Sequence, residues 1–450
     1  MSNFHLRGTG LEDHSLLNED QVVVKKNLQK ASRGRLRVSS CRCWAIAAFL
    51  AALWLAFFGL WLYWNYFRDG GGAVVKTVGH NVNASLMVLP QSLADKTGAY
   101  CLDGSPPSYY FRNASSQEHH YSWIIHLLGG SWCYNNTACA HRSTTDLGSS
   151  RLLKPTKTFG GILSANFTVN PDFFDWNLVV VNYCDGASFS GTRGDPVSYN
   201  NTKIYYRGAR VLDAVVNYLL QSAGLEQAER ILLSGESAGA LAVYLHADHI
   251  SSMVPDEAPF KALADGGFFV DEMDISGDRQ WETAMKDMYQ MQHVQWGLDE
   301  DCLLAKGSSN KWECFFPQYA YPYVTTPIFV INAVYDRWVQ RDILGLYCHP
   351  EECDEALGVL QQHRQLFLQR TDQVNRYLKD GMFLTSCYAH CQAVSDLPWM
   401  TYAVAGRTVR KAFADWYFER KTPAEARDVD CTSYNCNPTC SNTWELNRSA

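Results

Sequence analysis

The stretch that decides the fold is I-L-L-S-G-E-S-A-G-A, residues 231–240. An apolar run climbs into Gly235, a serine follows at 237, and Gly239 opens a series of small residues. Short apolar runs without alternation suit strands buried on both faces of a parallel sheet. The run after Ser237, AGALAVYLHADHI, has the composition of a helix. A Gly-x-Ser-x-Gly between strand and helix marks a sharp turn that lifts a serine hydroxyl above the sheet, where it can serve as a nucleophile. The five residues are a short pattern. Read alone, they also describe a glycine-rich turn carrying a surface serine.

Working outward, SWIIHLL (122–128), NLVVVNY (177–183) and PIFVINAVY (327–335) repeat the strand pattern of RILLSG (230–235). Between the second and third strands in chain order, YYRGARVLDAVVNYLLQSAG places apolar residues at helical spacing from Val211 to Leu220. Strand, helix, strand, helix predicts an α/β chain, α/β-hydrolase-like, with a mostly parallel sheet flanked by helices.

A serine nucleophile requires a base, and the base requires an orienting acid. In this fold the chain order is Ser, then Asp or Glu, then His. Asp336 follows the strand 327–335, at the carboxyl end where such sites form. Three histidines come after it. His363 sits in the Gln-rich helical stretch LGVLQQHRQLFLQR and reads as a solvated surface residue. His349 lies in CHPEEC, a short loop close behind the aspartate. His390 lies in SCYAHCQ, where neighbouring cysteines can pin a loop, and it is the preferred base. His246 and His249 precede the acid and read as packing or polar-face residues of the helix after Ser237. Oxyanion donors are expected from the backbone of Ala238 and from the turn after the strand 122–128, at Gly130 and Ser131.

The chain has 450 residues, 47% hydrophobic and 19% charged, which predicts a large folded core. Of 39 Lys/Arg and 46 Asp/Glu, residues 1–43 hold eight and four, leaving 31 basic against 42 acidic side chains beyond. That balance implies no basic surface for nucleic acid. An acidic substrate would need a local basic groove, for which Lys203, Arg207 and Arg210 are candidates.

Residues 44–64, WAIAAFLAALWLAFFGLWLYW, carry no charge and reach the length that spans a bilayer. Arg33, Arg35, Arg37 and Arg42 precede them, which favours a cytoplasmic N-terminus. The expected organisation is a disordered cytoplasmic tail at 1–43, a transmembrane helix at 44–66, a stalk at 67–75 and one catalytic domain at 76–450. This is a single-pass type II protein with its bulk lumenal (Golgi) or outside the cell; the rival reading is a cleaved signal peptide and a secreted protein. Thirteen cysteines lie beyond the apolar segment, several in close pairs: Cys133/Cys139, Cys302/Cys314, Cys348/Cys353 and Cys387/Cys391, with Cys431, Cys436 and Cys440 grouped. No CxxC pair occurs, so zinc is disfavoured and disulfides in an oxidising compartment are expected. The odd count leaves at least one thiol free or shared between chains. Sequons at Asn83, Asn113, Asn135, Asn166, Asn200 and Asn447 agree with export.

AYCLDGSPPSYYF, HLLGGSWCYNNTAC, GILSANFTVNPDFFDWN, NYCDGASFSG, YYRGARV, GESAGA, ALADGGFF, CFFPQY, INAVYDRW and SCYAHCQ recur in order over nearly all of 98–441. Together they closely resemble the plant pectin acetylesterase family, which is related to the animal Notum carboxylesterases that remove a lipid acyl group from a signalling protein. The resemblance implies a serine esterase removing O-acetyl groups from cell-wall pectin, with no metal or organic cofactor. By position it assigns Ser237 as nucleophile, Asp336 as acid and His390 as base. The match has departures. The family pattern is HLEGGGW where this chain has HLLGGSW, so Leu128 replaces an acid and Ser131 a glycine. It is GCSAGG where this chain has GESAGA, so Glu236 and Ala240 differ. These departures leave three expectations: pectin deacetylation, action on another glycan ester or a lipid ester as in Notum, and glycan binding without catalysis.

Overall fold

Successive side chains along the strands point to opposite faces, and both faces are buried. In the strand Ser122–Leu127, Ile125 and Leu127 join one apolar cluster with Val179, Leu233 and Ala262, while Ile124 joins a second with Leu178, Leu232 and Phe329. A strand buried on both sides has no polar face, which is why periodicity two is absent from its sequence. The computed structural model describes residues 83–353 and 356–441. The tail, the apolar segment 44–66, the stalk and Asn447 lie outside the described residues. Among the described residues no helix is long and apolar enough to cross a membrane.

A ten-stranded sheet organises the chain. Its strands are β1 (Ala84–Val88), β2 (Ser108–Arg112), β3 (Ser122–Leu127), β4 (Thr156–Lys157) and β5 (Asn177–Val181). A small hairpin, β6 (Val197–Tyr199) with β7 (Thr202–Ile204), intervenes. The sheet resumes with β8 (Arg230–Glu236), β9 (Phe260–Asp265), β10 (Ile328–Ala333) and β11 (Gly381–Thr385). A second small pair, β12 (Ala403–Val404) and β13 (Arg407–Thr408), precedes the last sheet strand, β14 (Arg427–Val429). The order across the sheet is β14-β11-β10-β9-β8-β3-β5-β2-β1-β4. Every pairing from β14 to β5 is parallel, and β2, β1 and β4 extend the sheet antiparallel at one edge.

Helices cover both faces. Gly208–Ser222 and Ala238–Met253 place Val211, Leu212, Leu241 and Val243 in the first cluster. Val409–Tyr417 contributes Val409, Phe413 and Trp416 to the second. Strands β8 and β9 run side by side in register, with Glu236 opposite Asp265 at their carboxyl ends. That register brings two acids beneath the point where the chain turns into the helix Ala238–Met253.

Six disulfides occur among the described residues: Cys101–Cys184, Cys133–Cys139, Cys302–Cys314, Cys348–Cys353, Cys387–Cys440 and Cys431–Cys436. Proximity in sequence misleads at one pair. Cys387 bridges to Cys440, and among the described residues Cys391 is the free thiol. The loop carrying His390 is therefore tied to the C-terminal segment rather than closed on itself.

Candidate active site

Ser237 sits at the tip of the turn between β8 and the helix Ala238–Met253, with φ 55° and ψ −122°. A side chain at this φ is disfavoured and persists only where the surroundings impose it. Here they do. The Ser237 N–H donates to the Asp265 carbonyl at 2.9 Å, and the Ser237 carbonyl accepts from the Leu241 N–H at 3.0 Å. The flanking glycines are sterically required. A Cβ on Gly239 would stand 1.9 Å from the Leu127 carbonyl oxygen, and one on Gly235 would stand 2.2 Å from the Gly239 carbonyl oxygen.

His390 lies beyond the end of β11 and Asp336 beyond the end of β10, so three neighbouring regions of the sheet rim contribute one side chain each. His390 Nε2 stands 2.9 Å from Ser237 Oγ. Its Nδ1 stands 2.8 Å and 3.0 Å from the two Asp336 oxygens. A carboxylate accepts, so Nδ1 carries the proton and Nε2 is free to accept from the serine hydroxyl. Asp336 is held in turn: it caps the helix Arg337–Asp342, accepting from Trp338 N–H at 2.8 Å and Val339 N–H at 3.2 Å. Burial pulls the His390 pKa down, but the charge and hydrogen bond of Asp336, with Glu236 and Asp265 behind, outweigh it and hold the pKa above 6.5.

The turn after β3 is pressed against Ser237. A Cβ on Gly129 would lie 2.8 Å from Ser237 Cβ. Gly130 has φ 144° and Ser131 φ 59°. Among the described residues no acceptor takes the N–H of Gly130 or Ser131. The Ala238 N–H is at the first helical position, where no intrahelical partner exists. Four side chains that carry no local sequence signal hold this arrangement. Tyr183 Oη donates to the Ser131 carbonyl at 2.8 Å and accepts from Ser188 N–H. Ser188 Oγ donates to the Ala238 carbonyl at 2.7 Å and accepts from Trp132 Nε1–H. Asp265 accepts from the N–H groups of Gln392 and Ala393 at 2.6–3.0 Å, fixing the segment just after His390. Burial pushes its carboxyl up to about 7 against the pull of those donors. Glu236, from the side of β8, accepts from Gly129 N–H at 2.7 Å.

Beside His390 stands a box of aromatic rings. Trp338 stacks on the imidazole at 5.9 Å between centroids and Phe269 lies 6.2 Å from it. Trp132, Phe269, Trp281 and Trp338 are all in mutual ring contact, at 5.1–6.1 Å. Trp132, Phe269 and Trp281 are buried.

The remaining candidates lie elsewhere. His363 is not at the surface: it is buried, with Nδ1 against Glu272 Oε1 at 2.5 Å, because its helix packs on the core through Leu360, His363 and Phe367. His349 lies edge-on to Tyr388 at 5.3 Å. His246 is buried against Ser190 Oγ and the Ser188 carbonyl, and His249 pairs with Asp213 at the surface. Arg207 does not offer a free cation, since its guanidinium donates to the carbonyls of Gly98 and Gly194 and covers Tyr100 and Tyr205. Lys203 is exposed and Arg210 half-buried. Of the sequons, Asn83, Asn113, Asn135 and Asn200 are exposed and Asn166 is half-buried. Asn135 also caps the helix Asn136–Arg142.

A mostly parallel sheet with helices on both faces, and Ser, His and carboxylate in hydrogen-bonded line at its carboxyl rim, defines an α/β hydrolase built for acyl transfer. A crystal structure of the Wnt deacylase Notum from Drosophila shares this fold, with a TM-score of 0.70 at 23% identity, covering 80% of this chain and 99% of that one. The family model described as pectinacetylesterase matches residues 81–441, and the chain belongs to that family. Pectin acetylesterase 5 of Arabidopsis thaliana is 36% identical over 367 residues, 78% of this chain and 84% of the relative. Pectin acetylesterase 11 of the same plant is 38% identical over 362 residues, 76% and 89% respectively. The chain is a hydrolase acting on carboxylic esters.

Proposed function

We propose that this chain removes O-acetyl groups from cell-wall pectin, with Ser237 as nucleophile, His390 as base and Asp336 as the acid that orients it. The observation that carries the reading is the unbroken line of hydrogen bonds from Ser237 Oγ through His390 to Asp336, in a member of the pectinacetylesterase family. Ser237 Oγ attacks the acetyl carbonyl carbon as His390 Nε2 takes its proton. The tetrahedral oxyanion is met by the N–H groups of Gly130, Ser131 and Ala238. Collapse expels the sugar oxygen, which takes the proton back from His390, and leaves an acetyl-serine. Water, deprotonated by the same imidazole, then releases acetate and restores the hydroxyl.

The close packing of Trp132, Phe269, Trp281 and Trp338 beside His390 favours a short acyl group over a lipid chain. The disulfides support an oxidising compartment, lumenal or extracellular. With the uncharged run 44–64 in the sequence, we read a type II anchor (44–66), a stalk (67–75) and a catalytic domain (76–450).

The test is acetate release from acetylated pectin, beside acetylated xylan and a chain-length series of aryl esters. Pectin activity with a sharp optimum at acetate supports the proposal. An optimum near octanoate would transfer the site to lipid esters, and binding to pectin without labelling by a fluorophosphonate would make it a binding protein.

A further inference from the structure

Glu236 takes no part in the proton transfers above, yet it joins two of the loops that make the site. It is half-buried at the end of β8, next to Ser237 in sequence and opposite Asp265 in register. Oε1 accepts from the Gly129 N–H at 2.7 Å. Oε2 accepts from the Cys391 thiol at 3.5 Å, one residue beyond His390. Gly129 has no room for a side chain, because its Cβ would stand 2.4 Å from the Glu236 carbonyl oxygen. The glycine and the acid therefore fit each other: the missing side chain lets the turn approach, and the carboxylate meets its N–H. Gly129 leads directly into Gly130 and Ser131, both at positive φ. The turn has no strand or helix of its own to hold it there.

The geometry points to Glu236 as a positioning residue for acyl transfer: as a hydrogen-bond acceptor, it sets the turn 129–131 against Ser237 so that its N–H groups meet the oxyanion. The inference rests on the reading of Ser237 as nucleophile. The groups facing Glu236 are the Gly129 N–H, the Cys391 thiol, His390 and Asp265, with Lys157 farther off. A role through charge on His390 and a role through reach to Gly129 are separable by substitution.

The experiment uses the full chain and 4-nitrophenyl acetate, with kcat and KM measured for Glu236→Gln, Glu236→Asp, Glu236→Ala and Ser237→Ala. Gln keeps the reach and an acceptor oxygen and loses the charge; Asp keeps the charge and falls one methylene short. The expected result is kcat within about 5-fold of the parent for Gln, and a fall on the order of 10²-fold for Asp and Ala, the loss seen when one oxyanion donor is displaced. KM stays within about 3-fold throughout, because the interaction acts in the transition state. Asp retaining as much kcat as Gln, or a loss carried by KM, would overturn the inference. If Ala fails to fold by thermal melting, the Gln and Asp pair still decides. Activity surviving in Ser237→Ala would instead sink the assignment of the nucleophile, whatever the variants at 236 do.

Discussion

Two turns meet at this site, and each holds a serine in the left-handed region: Ser237 at φ 55° and Ser131 at φ 59°. The elbow at 237 is gripped from both ends. β8 enters it, a sixteen-residue helix leaves it, and backbone bonds to Asp265 and Leu241 close it. The turn at 131 has β3 on one side only. It is held by side chains from far along the chain, through the Tyr183 hydroxyl and the Glu236 carboxylate. The sign of φ is shared and the restraint is not. Regular structure fixes the nucleophile, while a web of single hydrogen bonds fixes the electrophilic side of the site. Substitutions around the elbow should therefore abolish chemistry, and those around the turn should grade it.

The largest effect is expected at the elbow. Ser237→Ala should lower acetate release on the order of 10⁴-fold or more and abolish fluorophosphonate labelling, with an unchanged melting temperature. Labelling that persists in this variant would show that another residue carries the acyl group.

Asp265 joins the elbow to the segment after His390, so its loss should be intermediate. In Asp265→Ala the buried N–H groups of Gln392 and Ala393 lose their acceptor, at a cost of about 1–3 kcal/mol each for an unpaired buried donor. The segment after His390 is then released, and kcat should fall roughly 10–100-fold because a slightly misplaced base is a poor one. Asp265→Asn, whose amide oxygen can still accept both donors, should retain most of the stability in a denaturant titration. Equal losses in the two variants would mean that charge, not the two bonds, is what matters.

The pH dependence sharpens the same contrast. His390 must be neutral to accept the serine proton. Its pKa is raised above 6.5, so kcat/KM should fall as pH drops, with a midpoint above 6.5 and a tenfold loss for each further unit. Asp336→Asn removes the largest of the upward influences, and what activity survives should show its acid limb at lower pH. A limb that stays in place would separate it from the His390–Asp336 pair.

The elbow is readable from sequence because its signal is local: strand, glycine, serine, glycine and helix succeed one another within ten residues. Asp336 and His390 are readable because chain order and strand ends constrain them. The restraints are not. The bond from Glu236 to Gly129 spans 107 positions and depends on the register of β3 against β8, and that from Asp265 to Gln392 spans 127 and depends on the registers of β9, β10 and β11. Local periodicity carries no register between strands that are distant in the chain. The same limit explains Cys387, which bonds to a partner 53 residues away rather than to its neighbour at 391. It also explains His363, whose Gln-rich surroundings read as solvated while one face of its helix is core. The antiparallel strands β1, β2 and β4 escape a sequence reading as well, because β4 is two residues long and ASLMV and SYYFR lack the Val/Ile-rich run that marks the parallel strands.

The smallest effect is expected at Ser131, and it is the most direct measure of how the turn is held. A serine at φ 59° carries a backbone penalty of about 1–2 kcal/mol that glycine avoids. If the turn is held by its backbone contacts, Ser131→Gly keeps them, since Tyr183 donates to the carbonyl of residue 131 and Glu236 accepts from Gly129. The variant should then melt a few degrees higher, reduced somewhat by the greater freedom glycine has in the unfolded chain, with kcat within about 3-fold of the parent. A melting temperature that falls would mean that the contacts of the Ser131 side chain outweigh the relieved strain. The turn would then be held by side chains on both of its surfaces, and its contrast with the elbow would be greater still.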